Sequence, residues 1–245
     1  MPDLVSAFLE RMGLNAYVGG DYAAAEKWFR RLERREPDSI RVLRDLGVVL
    51  LASGDREGAE RLFRREEALY GPSYHRHCAI ADLAYSLGRR DEARARYEAA
   101  LAEPEAVAGR AGAGRALVEL RAALCADPGA WERSREAATR FAEAEAAQAA
   151  GRKDEALTAF LAAAELDPSQ WPALNNAGSS LLNDKAEPGR ALELLERAFA
   201  LSPSATIARN VQLAREALAR AASARATAAM TAPAGARRSV KDGPA

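Results

Sequence analysis

The chain has 245 residues, 49% of them apolar and 29% charged, with 35 basic side chains against 35 acidic ones. That zero balance argues against a binder of polyanions, because neutralising phosphates needs an excess of Lys and Arg. Aromatic residues make up only 6%, and sparse β-branched residues stand beside abundant Ala, Leu, Glu and Arg, so the composition favours helix over sheet.

Taken in chain order, the sequence repeats itself. An apolar-periodic stretch, LERMGLNAYVGG, precedes GDYAAAEKWFRRLERREP, which starts at Gly20; LRDLGVVLLASG precedes GDREGAERLFRREEALYGP, which starts at Gly54; and a third copy, GRRDEARARYEAALAEP, starts at Gly88. Gly20, Gly54 and Gly88 are spaced by 34, as are Ala25, Ala59 and Ala93, and as are Phe29, Phe63 and Tyr97. A fourth copy, GRKDEALTAFLAAAELDP, places Gly151, Ala156, Phe160 and Pro168 in the same relation. A fifth, GRALELLERAFALSP, aligns Ala191, Leu195, Ala198 and Pro203, with one extra residue in its turn.

Each unit predicts a helix-turn-helix. Gly20, Gly54, Gly88 and Gly151 end a first helix, where a left-handed cap suits glycine, and Asp21 and Asp55 cap the second. Small residues such as Gly13, Gly47 and Ala25 let paired helices approach, and the large Phe29, Phe63, Tyr97 and Phe160 are expected to fill the seam between neighbouring units. Proline closes each unit because it cannot continue a helix.

This pattern resembles the tetratricopeptide repeat (TPR) family, a 34-residue helix-turn-helix unit, over residues 6–107 and 129–204. It departs from the family where a first-helix tryptophan is Leu9, Leu43 and Leu174, and where a glycine is Ala81 and Ala144. The resemblance implies an all-α, right-handed α-solenoid of stacked TPR-like repeats with a C-terminal capping helix. The expected organisation is a three-repeat stack over 1–107, a degenerate repeat or hinge over 108–128, two repeats plus a capping helix over 129–222, and a disordered basic tail over 223–245.

The regular spacing breaks once. Ala93 and Ala156 are 63 apart, which leaves 29 residues beyond one regular unit. AVAGRAGAGRALVELRAALCADP ends like a second helix, but its front half holds Gly109, Gly112 and Gly114, each costing about 1 kcal/mol in a helix interior. Either a stunted first helix precedes it or one helix runs from 105 to 126; the glycines form either a joint or a rigid degenerate unit. The following stretch, AWERSREAATRFAEAEAAQAAG, predicts a first helix about two turns longer than the others. Beyond Pro203, Ile207, Val211, Leu213, Ala214 and Leu218 recur helically and suit a cap. Residues 205–245 carry 7 basic and 2 acidic side chains, so anionic-surface binding there is an alternative function.

Catalytic constellations are missing, and acidic pairs such as Glu66-Glu67 and Asp91-Glu92 are expected on solvent faces or helix starts. Gly109, Gly112 and Gly114 are not followed by Lys-Ser or Lys-Thr, and no nucleophile elbow occurs. His75, Cys78 and Asp82 share a helix face, yet offer no fourth ligand, so no metal site or cofactor is expected. Cys78 and Cys125 lie too far apart for a zinc cluster, which fits a reducing compartment. The opening MPDLVSAFLERM shows no secretory signal, and no stretch is apolar enough to span a membrane. The expectation is a soluble cytoplasmic protein.

For such a repeat array the ligand surface is the side lined by first helices. Periodicity places Leu14, Tyr17 and Val18 there from the first unit, Arg41, Arg44, Val48 and Leu51 from the second, and Asp82 and Tyr85 from the third. Some family members bind acidic chaperone tails through a Lys and Asn clamp; the corresponding places hold Glu10, Leu14 and Ala79, which argues against that ligand. The expected function is a non-catalytic adaptor that binds a segment of another protein, with nucleic acid disfavoured. The alternative is an accessory or regulatory subunit of an enzyme complex.

Overall fold

The computed structural model describes residues 3–107 and 114–231, and within them every regular element is a helix. In chain order these are α1 (Leu4–Val18), α2 (Tyr22–Arg35), α3 (Ile40–Ser53), α4 (Arg56–Tyr70), α5 (Tyr74–Ser86), α6 (Arg90–Ala102), α7 (Pro104–Val107), α8 (Arg115–Ala126), α9 (Pro128–Ala149), α10 (Lys153–Leu166), α11 (Trp171–Asn183), α12 (Pro188–Leu201) and α13 (Ala205–Thr231). The chain divides into two compact units, Met1–Glu132 and Arg133–Ala245.

The turns follow the residue chemistry. Gly54 and Gly88 have φ of +90° and +78°, a left-handed conformation that a Cβ would penalise. After α5, the Gly88 N–H donates to Tyr85 O at 3.1 Å and the Arg89 N–H to Ala84 O at 2.8 Å, the two bonds of a Schellman cap. The same pair of bonds recurs from Gly20 and Asp21 to Tyr17 O and Ala16 O. Asp21 and Asp55 then accept from Ala24 N–H at 2.9 Å and Gly58 N–H at 2.8 Å, opening α2 and α4. In the fifth unit the extra turn residue puts Ala186 at φ +54°, a non-glycine in the left-handed region.

Packing keeps the 34-residue register. Ala25, Ala59, Ala93, Ala156 and Ala191 are all buried, and so are Phe29, Phe63, Tyr97, Phe160 and Leu195. Each large residue lies over the small one of its own first helix: a Cβ on Gly47 would stand 2.5 Å from Phe63. The aromatic ring therefore closes its own helix pair, not the seam between neighbouring units that the sequence suggests, and it joins the wider core from there. In Met1–Glu132 one cluster runs from Leu9 to Ile80, and another gathers Tyr74, Tyr85, Tyr97, Val118, Cys125 and Trp131. In Arg133–Ala245 the core is rich in alanine around Phe160, Leu174, Leu181, Leu195 and Ile207.

Several expectations need adjusting. Pro104 opens the short α7 instead of merely closing a unit. Leu213 and Leu218 point outward on α13, whose buried stripe is Ile207, Val211 and Ala214. That helix continues to Thr231, so the tail expected over 223–245 begins as helix; its remainder, 232–245, lies outside the described residues. The proposed joint at Gly109–Gly114 also lies outside them, except for Gly114. The helix α9, at 22 residues, is about two turns longer than the other first helices, as its sequence implied.

Candidate ligand-binding face

The repeat register sets which first-helix residues are equivalent. Leu14 of α1 corresponds to Val48 of α3 and Asp82 of α5, and Tyr17 corresponds to Leu51 and Tyr85, because 34 residues separate each pair. Between α3 and α5 this register opens a cavity of about 350 Å³. Arg44, Val48, Leu51 and Asp82 line it together with Glu66, His75, Arg76 and Ala79. Four of the nine residues expected on this face thus meet in one cavity. Its apolar floor is open, since Val48 and Leu51 each remain 40% exposed.

The other five divide. Leu14 and Val18 are exposed outside this cavity. Tyr17 is half-buried against the core, its ring 5.7 Å from that of Tyr22. Arg41 is held by Glu10 and, at 3.2 Å, by Glu36, so it is not a free cationic edge. Tyr85 corrects the expectation. It is buried, with its ring 5.2 Å from that of Trp131 and edge-on to it, and with the Arg121 guanidinium 4.9 Å over it. The third unit lends its tyrosine to the core because α8 and the start of α9 supply aromatic and cationic partners that the first two units lack.

Charged groups around the cavity are paired from behind. Glu66, expected on a solvent face, is buried, and its Oε1 accepts from Arg44 Nη2 and from Arg76 Nε, both at 3.1 Å. Arg76 also donates to Gly71 O at 3.1 Å and Ser73 Oγ at 3.3 Å. On α5, Asp82 Oδ1 accepts from Tyr97 Oη and Arg121 Nη1, each at 2.6 Å. Burial, followed by the Asp82 charge, holds the Tyr97 hydroxyl well above the ordinary tyrosine range. Cys78 is no reactive thiol: burial, then Asp82, pushes its pKa up to about 12. His77 sits between Glu67 and Glu103 beside Arg96. Among the described residues no cluster of His, Cys, Asp and Glu is arranged to hold a metal ion.

The second unit treats the equivalent face differently. In α11, Asn175 and Ser179 stand where α3 has Arg44 and Val48, and Asn210 of α13 bonds them at 3.0 and 3.4 Å. The capping helix therefore bonds the two residues that stand in place of Arg44 and Val48. A larger cavity, about 950 Å³, lies beside α9 and α10, and its rim carboxylates Glu136 and Glu143 are held by Arg140. Sequence reasoning missed this cavity, as well as Glu66, Arg76 and Arg121.

Comparison with known families places this geometry. The tetratricopeptide repeat model matches residues 11–73 and 141–206, just over half of the chain. The chain belongs to the tetratricopeptide repeat family. TPR domains typically serve as protein–protein interaction modules, and the matched segments contain α3, with most of the cavity floor, and α11. Among solved structures the chain is similar to MamA (residues 41 to the end) from Desulfovibrio magneticus RS-1, at 15% identity over 82% of this chain and 99% of that one, with a TM-score of 0.45. It is also similar to TTC0263, a thermophilic TPR protein of Thermus thermophilus, at 18% identity over 87% and 98% of the two chains, with a TM-score of 0.42. A third is YrrB, described as a TPR protein with an unusual peptide-binding site, at 16% identity over 83% and 90%, with a TM-score of 0.40. No curated protein matches the chain. Among the described residues no helix is long and apolar enough to cross a membrane.

Proposed function

We propose that this TPR protein is a non-catalytic adaptor that binds a segment of another protein on the face shared by α3 and α5. One observation carries the proposal. Val48 and Leu51 form an exposed apolar floor inside a cavity whose walls hold fixed polar groups. Exposed apolar surface rimmed by polar residues is the usual mark of an interaction site. Leu14 and Val18 extend the exposed apolar surface of α1, while Arg41, at the start of α3, is tied to Glu10 of α1 and to Glu36 at the end of α2. In the second unit Asn210 of α13 already bonds Asn175 and Ser179 on the matching face, which favours the first unit as the ligand-bearing one.

The test is a double substitution, Val48→Asp with Leu51→Asp. Both side chains are partly exposed, so the protein should fold with an unchanged helical spectrum. Burying a side chain of this size is worth about 1.5–3 kcal/mol, so affinity for a partner captured by the unaltered protein should fall at least tenfold. Full retention of that affinity by the folded variant would place the site elsewhere.

A further inference from the structure

Stacked repeats need a polar outer face on a terminal unit, because no neighbour covers it. The 34-residue register identifies that face. In α3 and α4 the residues turned toward the preceding unit include Val42, Leu46 and Leu62, all buried in one core cluster with Ala25, Phe29 and Leu32 of α2. Their equivalents in α1 and α2 are Phe8, Met12 and Trp28, and these have no such cover among the described residues. Phe8 is 48% exposed, and Val5, one turn earlier, is 50% exposed. The Phe8 ring stands edge-on to that of Trp28, with centres 6.1 Å apart, so the side chains form one strip. At the same register positions of the second unit, α9 carries Thr139 and Glu143, both exposed, and α10 carries Ala159. The fold thus accepts a polar face at these positions, yet the first unit has an apolar one. A contiguous exposed apolar strip marks an interaction surface.

The interior seams specify what covers such a strip. There the covering element is a second helix, and it hands carboxylates to the cations of the next unit. Glu33 meets Arg65 at 3.4 Å, Glu36 meets Arg41 at 3.2 Å, and Glu60 meets Arg89 at 2.8 Å. Arg31 is the register equivalent of Arg65. Its guanidinium lies 4.9 Å over the Trp28 ring and, like those of Arg11 and Lys27, its charge has no ion pair among the described residues. The acids of α1 and α2 nearest to it are already used: Asp3 by Arg35, Glu10 by Arg41 and Glu26 by Arg30. A second copy of this face would set like charges against each other. We propose that this end of the first unit docks an acidic amphipathic helix of a partner protein, laid where a preceding second helix would lie. Its apolar stripe covers Val5, Phe8 and Trp28, and a carboxylate reaches Arg31 as Glu33 reaches Arg65. The proposal is independent of the α3–α5 face.

The probe is a capped peptide of residues 21–38 carrying Lys27→Gln, Arg30→Gln, Arg31→Gln, Arg34→Gln and Arg35→Gln. It keeps Phe29, Leu32 and Glu33 at their α2 spacing on an acidic helix. Added to the full-length, ¹⁵N-labelled protein, it should shift amides of residues 4–12 and 24–31. Arg31→Glu in the protein should weaken binding at least about fivefold, and Glu33→Lys in the peptide should then restore it to within about twofold. Phe8→Ser in the protein should weaken it about tenfold. Should that variant not fold, the exchange of charges at exposed Arg31 still decides. No shifts in 4–12 and 24–31 at saturating peptide would overturn the proposal, as would a charge exchange that restores nothing. Shifts confined to residues 40–62 would also overturn it, because the peptide would then be replacing α2 on α3. So would two further results, each lost in Phe8→Ser: binding to vesicles of phosphatidylcholine and phosphatidylserine, which would assign the strip to a membrane surface, and a dimer in sedimentation velocity, which would assign it to a second copy.

Discussion

In the first unit α3 buries Val42, Leu43, Leu46, Gly47, Val49 and Leu50; in the second unit the equivalent helix α11 buries Ala173, Leu174, Ala177, Gly178 and Leu181. Glycine and two leucines are shared, Val42 and Leu46 shrink to alanine, and the buried Val49 is replaced by the half-buried Ser180. The shared positions are those where the second helix leans on the first: a Cβ on Gly47 would stand 2.5 Å from Phe63, and one on Gly178 would stand 2.7 Å from Leu195. Where helices touch most closely the position stays small, glycine in these two helices and alanine at Ala81 and Ala144. Elsewhere the same backbone accepts different volumes, provided the neighbours fill the space. The exposed face diverges further, from Arg44, Val48 and Leu51 to Asn175, Ser179 and Leu182, and there the difference separates an open face from one engaged by Asn210.

This contrast can be broken by exchanging residue sizes. Leu46→Ala in the first unit should open a cavity and cost about 2–5 kcal/mol, measured by urea unfolding. The converse, Ala177→Leu in the second unit, should overpack and cost about 1–3 kcal/mol. A stabilising Ala177→Leu would mean that the alanine-rich core contains unfilled space and that its small residues are not a packing requirement.

A smaller effect is expected at the turn between α11 and α12. Ala186 has φ +54° where the other turns use glycine, and a non-glycine residue there costs about 1 kcal/mol. Ala186→Gly should therefore raise stability by about 0.5–1 kcal/mol, whereas Gly54→Ala at the first unit's turn should lower it by a similar amount. Thermal melts of the two variants moving in the same direction would contradict the shared turn geometry.

The smallest effect concerns pH. Glu60 on α4 is held down to about 2 from an ordinary 4.5, first by its hydrogen bond from Arg89 and also by Arg64. A depressed carboxylate stabilises the fold fully above its unfolded value and loses that contribution as pH falls through the folded one. The Glu60 contribution should thus be intact above about pH 4.5 and fade toward pH 2. Glu60→Gln should lower stability near pH 7 by removing that contribution, flatten the profile across that window and leave stability near pH 2 almost unchanged. An equally steep acid limb in the variant would show that this bridge between α4 and the start of α6 adds nothing.

Most of the fold could be read from the sequence because its determinants are local. Gly54 with Asp55 specifies a cap and a start within two residues, and Ala59 with Phe63 specifies a buried face within four. The site was only half legible. Arg44, Val48 and Leu51 follow from periodicity on one helix, whereas Glu66 looked like a solvent carboxylate beside Glu67 and is buried by Arg44 and Arg76 from two other helices. Tyr85 looked like a groove residue until Trp131 and Arg121, dozens of residues later, turned it into core. Those partners lie beyond the break in the repeat, where the 34-residue spacing no longer says which residue faces which.

Site-specific photo-crosslinking from the full-length protein tests the central claim most directly. A benzophenone side chain placed at Leu51 of the first unit is compared with one placed at Ser179, the equivalent of Val48 on the second unit. In lysate of the source cells, Leu51 should yield a discrete protein adduct that disappears when Val48→Asp is added, while Ser179 should yield none. Adducts arising from Ser179 alone, or a Leu51 adduct indifferent to Val48→Asp, would contradict a binding face between α3 and α5.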